Sequence, residues 1–219
     1  MLLFYHLEKI IKLAINKKKI FIFIIFILFF FNSQSKSVTN NVLVTIDNSI
    51  ITELDLKKEI DFIKFINRTE IVDNSEKVRK EIIEGLIDKK IKKIEIDNAK
   101  IEITEKEIEN YTYNYLLNNK INNEILFDFY TSKQIEKDYL RNMLIIEIGW
   151  IKLIRKIYES RININLTEIN EEIKKESKNS EDLEKIKNQI IDLEKNKVLN
   201  KFAVTHLDKS KKKYLIKFL

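Results

Sequence analysis

The sequence contains no cysteine and no proline, and its 219 residues include only two glycines, Gly85 and Gly149. The absence of cysteine excludes a disulfide framework and also excludes the lipid anchor of a lipoprotein, which is attached to a cysteine. Proline and glycine are the residues least compatible with a helix interior. A chain with none of the first and two of the second, both inside helical patterns, favours long helices.

Histidine is almost as scarce, with only His6 and His206. Catalytic sites need converging groups with tuned pKa values, and His206 has no serine or cysteine pattern beside it. Carboxylate pairs such as Glu171 with Glu172 lie beside lysines on predicted helix surfaces, which is typical of solvated charge. The sequence also lacks metal-ligand spacing, a phosphate-binding loop and a nucleophile elbow. We therefore predict a protein that is not an enzyme and that has no catalytic residues, metal or cofactor.

The N-terminus has the three-part layout of a secretory signal peptide. Three lysines, Lys17 to Lys19, precede an unbroken run of twelve apolar residues, Ile20 to Phe31, and small polar residues follow up to Ser35. A membrane-spanning helix needs roughly 20 apolar residues. We therefore predict that residues 1–35 are a signal peptide cleaved after about Ser35. Retention as an inner-membrane anchor is the alternative, because the region before the run is long and partly apolar.

The charge is nearly balanced once this segment is removed. The full sequence has 40 basic and 34 acidic residues. Residues 1–35 hold five of the lysines and one glutamate, so residues 36–219 keep 35 basic and 33 acidic side chains, a net charge of +2. Proteins that bind nucleic acid carry a strongly basic field. We expect neither a nucleic-acid partner nor a nucleotide.

Apolar periodicity divides the remaining chain into helices and short strands. The β-rich runs Val42 to Ile46 and Ile50 to Thr52 predict a hairpin. Helices are predicted after the cap Thr52 to about residue 66, over 76–98, after the cap Thr104 to about 117, over 124–131, over 132–160, after the cap Thr167, and from Glu181 onward. The run Tyr214 to Leu219 predicts a strand that needs an edge, and the hairpin is the only obvious one. We predict that the two ends of the mature chain meet.

The order of these patterns resembles the SurA family of periplasmic chaperones and peptidyl-prolyl isomerases. The likeness begins at V-L-V-T-I-D-N-S-I-I-T-E-L-D-L, residues 42–56. It continues through G-L-I-D-K-K-I at 85–91, I-E-I-T-E-K-E-I at 101–108, the helix that contains Trp150, I-N-I-N-L-T-E-I-N-E-E-I at 162–173 and the segment 197–218. Each piece is a helix-packing or capping pattern, so the resemblance rests on their combination and order.

The resemblance implies a mainly α fold, with a small β element formed by the N-terminal hairpin and the C-terminal strand. A single SurA-like chaperone domain would cover residues 36–219, with an N-terminal part at 42–175, a short loop at 174–180 and a C-terminal helix and strand at 181–219. SurA-like proteins normally carry one or two parvulin isomerase domains at that loop. Seven residues cannot hold a domain, because independent domains need roughly 40 residues. We therefore do not expect the isomerase activity.

The function that the resemblance implies is that of an ATP-independent periplasmic holdase. Its partners would be unfolded outer-membrane β-barrel precursors, whose aromatic-rich strands have edges that associate when unpaired. Contact with the membrane would be transient, through the signal peptide. Two alternatives remain open, a peptidyl-prolyl isomerase of the SurA type and an envelope assembly factor anchored in the inner membrane.

Two groups of aromatic residues are the predicted client-binding surface. At 100° per residue, Tyr111 and Tyr115 share one helix face and Tyr113 lies on another, so one set stays partly exposed. The short predicted helix over 124–131 carries Phe127, Phe129 and Tyr130, which also cannot all face one side. The candidate residues are Tyr111, Tyr113, Tyr115, Phe127, Phe129 and Tyr130. They predict an apolar patch that holds unfolded chains, and the alternative is that most of them are core.

Overall fold

The computed structural model describes residues 41–68, 75–166 and 180–219. These ranges contain six helices and a three-stranded antiparallel sheet. The predicted mainly α fold with a small β element is therefore confirmed. The predicted signal peptide, the cap at Thr167 and nearly all of the predicted loop at 174–180 lie outside the described residues.

The elements follow one another in the order that the sequence predicts. They are β1 (Val42–Ile46), β2 (Ser49–Thr52), α1 (Glu53–Asn67), α2 (Glu76–Asn98), α3 (Glu105–Asn118), α4 (Asn123–Lys133), α5 (Tyr139–Tyr158), α6 (Ser180–Lys211) and β3 (Ile216–Phe218). Capping boxes start two of the helices, because the hydroxyls of Thr52 and Thr104 each accept a hydrogen bond from the backbone three residues on. Ser75 caps α2 in the same way. These side chains satisfy N–H groups that a helix start leaves unpaired.

The sheet joins the N-terminal hairpin to the C-terminal strand. Its strand order is β2-β1-β3, with Val44 opposite Phe218 and Ile46 opposite Ile216. The carboxylate of Asp47 also accepts a hydrogen bond of 2.8 Å from the backbone N–H of Leu215. The prediction that the two ends of the chain meet is confirmed.

The start of α5 corrects the prediction of one helix over 132–160. α4 ends at Lys133, and Gln134 then adopts a left-handed conformation with φ of 54°, so the chain leaves the helix. Ile135 turns into the core. The hydroxyl of Tyr130 accepts a hydrogen bond from the backbone N–H of Leu140 at 3.2 Å, which fixes the restart at the beginning of α5.

Three apolar clusters form the core. The first packs the inner face of the sheet on α2 through Val44, Ile46, Ile51, Ile87 and Ile91. The second joins α1, α4 and the start of α5 through Phe62, Phe129, Tyr130, Ile135, Leu140 and Leu144. The third joins α2, α5 and α6 through Ile96, Trp150, Leu153, Ile154 and Leu199. The third cluster is open to solvent along the line where α5 and α6 meet.

Candidate functional site

Helices α5 and α6 form the walls of an open groove, here called the α5–α6 groove. Its volume is about 500 Å³. The apolar lining consists of Trp150, Ile151 and Ile154 from α5 and Leu199, Ala203, Val204 and Leu207 from α6. These side chains carry no nucleophile and no acid or base. The arrangement suits the binding of apolar side chains.

The floor and the rim of the groove differ in exposure. Trp150 lies on the floor and is only 5% exposed. Ile151, the next residue on α5, is turned by 100° and reaches solvent at the rim. Val204 forms the opposite rim and is 63% exposed. Two aliphatic side chains thus face solvent on either side of a buried aromatic floor.

Charged residues also line the groove. Lys92 of α2 lies over the Trp150 ring, with its Nζ 5.9 Å from the ring centroid and 3.2 Å from the carboxylate of Glu147. Arg155 donates one hydrogen bond of 3.4 Å to the side-chain oxygen of Asn196. Within the described ranges, no carboxylate lies within 4.0 Å of its guanidinium. The charge of Lys92 is therefore paired with a carboxylate, whereas Arg155 has no such pairing among the described residues.

His206 packs behind the groove floor. Its ring lies 5.5 Å from the Trp150 ring, its Nδ1 is 2.9 Å from the hydroxyl of Tyr158, and its Nε2 is 3.6 Å from a carboxylate oxygen of Glu95. Burial lowers the pKa of the His206 imidazole, and the charge of Glu95 partly opposes that effect. The contacts join α6 to α5 and α2. They suit the structural role expected for this histidine.

Glu95 also holds the turn that leads into β3. The hydroxyl of Tyr214 donates a hydrogen bond of 2.6 Å to the Glu95 carboxylate, and the Nζ of Lys213 donates one of 3.0 Å to the same carboxylate. Burial, followed by the bond to Glu95, raises the pKa of Tyr214 to about 12. Burial acts to raise the pKa of Glu95, but the bonds from Tyr214 and Lys213 outweigh it and lower that pKa. The groove wall and the sheet are thus connected through one carboxylate.

A second, smaller cavity of about 180 Å³ lies between α1, α2 and α5. Glu59 lines it and is only 7% exposed. Its carboxylate accepts hydrogen bonds from Lys89 at 2.6 Å and from the hydroxyl of Tyr139 at 2.8 Å. Burial raises the pKa of Tyr139, and the neighbouring charge of Glu59 adds to the effect. Both oxygens of Glu59 therefore have structural partners.

The structure divides the six predicted client-binding residues. Tyr113 is 68% exposed, and Tyr111 and Phe127 are exposed too. Tyr115 is half-buried against the second core cluster.

The prediction is wrong for Phe129 and Tyr130, which are core residues. Phe129 is 7% exposed, and its ring stacks on the ring of Phe65 with 4.2 Å between the two centroids. Tyr130 is equally buried, and its hydroxyl accepts the backbone bond at the start of α5. A short helix can bury both side chains because α1 covers it on one side and α5 on another.

Sequence reasoning missed the groove wall on α6. One apolar stripe of this helix follows Leu193, Val198, Phe202 and His206, yet Leu193 is exposed. The signal is a second stripe at steps of four, Leu199, Ala203 and Leu207, next to the first. Two adjacent stripes make an apolar face too wide for one contact.

No protein-family model matches the chain, and a search of curated proteins found no match either. No helix in the described ranges is long and apolar enough to cross a membrane. The same part of the chain contains no cluster of three or more potential metal ligands. The geometry of the α5–α6 groove is therefore the basis for a functional proposal.

Proposed function

We propose that the protein is an ATP-independent holdase of the bacterial envelope that binds unfolded outer-membrane β-barrel precursors. The observation that carries this proposal is the α5–α6 groove, with Ile151 and Val204 exposed above the Trp150 floor. A soluble protein gains nothing in stability from aliphatic side chains held in solvent. Contiguous apolar surface of this kind is typical of binding sites for other chains.

The dimensions of the groove suit an extended chain. Its α5 wall runs from Glu147 to Arg155, which corresponds to roughly 12 Å at 1.5 Å per residue. An extended segment of three or four residues covers that length and points alternate side chains to one side. The strands of outer-membrane barrels have this alternation of apolar and polar residues.

The expected binding energy suits a chaperone that releases its clients without ATP. Burying one Leu- or Phe-sized side chain contributes about 1.5–3 kcal/mol, and much of this offsets the cost of ordering the client. One segment in the groove therefore binds weakly and leaves quickly. A β-barrel precursor offers many such segments, so repeated weak contacts delay its aggregation.

The element order supports a SurA-like assignment within the same proposal. The resemblance predicts a hairpin, capped helices and a final strand that returns to the hairpin, and β3 pairs with β1 in this way. The proposal also places the protein in the periplasm after removal of the predicted signal peptide. N-terminal sequencing of the protein from the producing cells tests that location against the anchored alternative.

The direct test is aggregation of a urea-unfolded porin after dilution, followed by light scattering. We expect a several-fold molar excess of the protein to slow aggregation equally with and without ATP. Val204→Asp should lose most of this effect, because it places a charge on the exposed groove rim. Thr205→Asp is the matched control, since this neighbouring residue is also exposed and does not line the groove.

Unslowed aggregation in the presence of the wild-type protein would reject the proposal. Acceleration of a proline-limited refolding reaction above background would instead overturn the argument that no isomerase domain is present, and would support the isomerase alternative. Capture of one envelope protein in a fixed ratio, in place of many unfolded chains, would favour the anchored assembly factor.

A further inference from the structure

We infer that the α5–α6 groove selects extended segments in which apolar residues are flanked by a carboxylate, and that Arg155 recognises this carboxylate. The inference rests on the proposed function and names the client chemistry of the same groove. It concerns the charge at the two ends of the groove rather than its apolar lining.

The two ends of the groove differ in charge. Lys92 lies near the Glu147 end, and its ammonium group already pairs with that carboxylate at 3.2 Å. The Arg155 end carries a guanidinium whose one side-chain partner in the described part of the chain is the neutral amide of Asn196, at 3.4 Å. One end of the apolar groove therefore carries a paired charge and the other end carries a cation, so an occupant meets a different charge at each end.

The chemistry of Arg155 fits a carboxylate. A guanidinium has five N–H donors in a fixed planar fork, and the amide of Asn196 accepts only one of them. Carboxylates are bound by two parallel N–H groups of such a fork, which gives both energy and orientation. The residue is exposed, so it reaches a client without any rearrangement of the groove.

The length of the groove sets the spacing of the occupant. Three or four extended residues fill the roughly 12 Å between the ends. The apolar side chains of the segment, at alternate positions, lie against Ile151, Val204 and Trp150. An aspartate or glutamate next to them at the Arg155 end then reaches the guanidinium, whereas a lysine there meets like charge.

The test uses two capped octapeptides without tryptophan. Both contain Leu and Phe two positions apart, followed in one peptide by two Asp and in the other by two Lys, with Ser elsewhere. Calorimetric titration in 50 mM salt measures the Kd of each for the protein purified from cells that express the full chain. Trp150 is the only tryptophan of the chain, so a change in its emission locates the peptide in the groove.

We expect the Asp peptide to bind about fivefold more tightly than the Lys peptide, the size of effect given by one exposed ion pair. The preference should shrink at 500 mM salt because the charges are screened. Arg155→Glu should reverse it. Lys201→Glu, the matched control, changes the net charge equally at an exposed residue of α6 that does not line the groove, and it should keep the fivefold preference.

Equal binding of both peptides overturns the inference and leaves the proposed function intact. The same holds if Arg155→Glu and Lys201→Glu show the same preference, or if neither peptide binds while the wild-type protein still slows porin aggregation. Failure of both peptide binding and aggregation suppression overturns the inference and the proposed function together.

Discussion

Lys89 of α2 lies beside the buried carboxylate of Glu59 on α1, with 2.6 Å between Nζ and Oε1. Tyr139 of α5 donates to the other carboxylate oxygen at 2.8 Å. Three helices that are distant in sequence therefore meet at one charged group. Removing a partner from a buried charge is costly, because the charge is left without compensation.

We expect Lys89→Met to lower the free energy of unfolding by about 2 kcal/mol, since Glu59 then keeps a buried charge without its cation. Lys93→Met is the control on the same helix, because Lys93 pairs with Asp97 where both side chains are exposed. The control should change stability by less than about 0.5 kcal/mol. Urea unfolding measures both. Equal losses in the two variants would contradict a structural role for the buried pair.

The stability of the protein should fall over the pH interval from 6.5 down to the lowered pKa of His206. Burial holds the pKa of this imidazole below its ordinary value of 6.5 in the folded protein, so the unfolded chain takes up the proton first. The stability is fully present above pH 6.5 and is lost as the pH falls through the lowered pKa. The charged and titratable groups around the imidazole are Glu95 of α2, Tyr158 of α5, Lys209 of α6 and Lys213 of the following turn.

His206→Gln removes the titrating group, so its stability should depend less on pH over this interval. Thermal unfolding of both proteins in matched buffers measures the difference. A wild-type slope no steeper than that of the variant would show that the imidazole is not shielded from protonation.

The two glycines should respond in opposite directions to replacement by alanine. A Cβ at Gly85 meets nothing within 4 Å, so Gly85→Ala should raise the free energy of unfolding by about 0.5–1 kcal/mol through helix propensity. A Cβ at Gly149 would lie 3.0 Å from Ile96 and 3.1 Å from Ile103. Ile96 is buried in the third core cluster and cannot move aside freely. Gly149→Ala should therefore destabilise by about 1 kcal/mol.

Serine variants distinguish the groove from the surface that the sequence predicts. Replacing Ile151 and Val204 together should weaken binding of an unfolded porin about tenfold, because two apolar contacts of the groove rim are lost. Replacing the exposed pair Tyr111 and Tyr113 of α3 should weaken it less than about threefold. Fluorescence anisotropy of a labelled porin measures both. A larger loss in the second variant would move the client site to α3.

Local sequence signals predicted the parts of the fold that local physics determines. The hairpin follows from two β-rich runs around a turn, and α1 and α3 begin where Thr52 and Thr104 cap them. The final strand was predictable because the hairpin is the only obvious β element in the sequence with which it could pair. In each case a few neighbouring residues carry the whole signal.

The misplaced features depend on packing between distant segments. Ile135, Tyr139 and Met143 are spaced by four, as in a continuous helix. This spacing gives no sign that the chain leaves the helix at Gln134 and that α5 begins only at Tyr139. The sequence leaves open whether Phe129 and Tyr130 are client-binding or core residues, because the cover supplied by α1 and α5 cannot be read from α4 alone.

The groove also could not be predicted from the sequence, because it depends on packing between distant helices. Leu199 and Phe202 belong to neighbouring stripes of one helix, and nothing in their spacing indicates which stripe meets α5. The position of α6 relative to α2 and α5 decides this, and with it which apolar side chains stay open to solvent.

The central position of β1 has a consequence for how the protein is made. Asp47 and Leu215 are 168 residues apart and yet share a hydrogen bond, so translation of almost all of this sequence precedes completion of the sheet. Until then β1 keeps one edge free, and the contacts that close it are among the slowest kind to form.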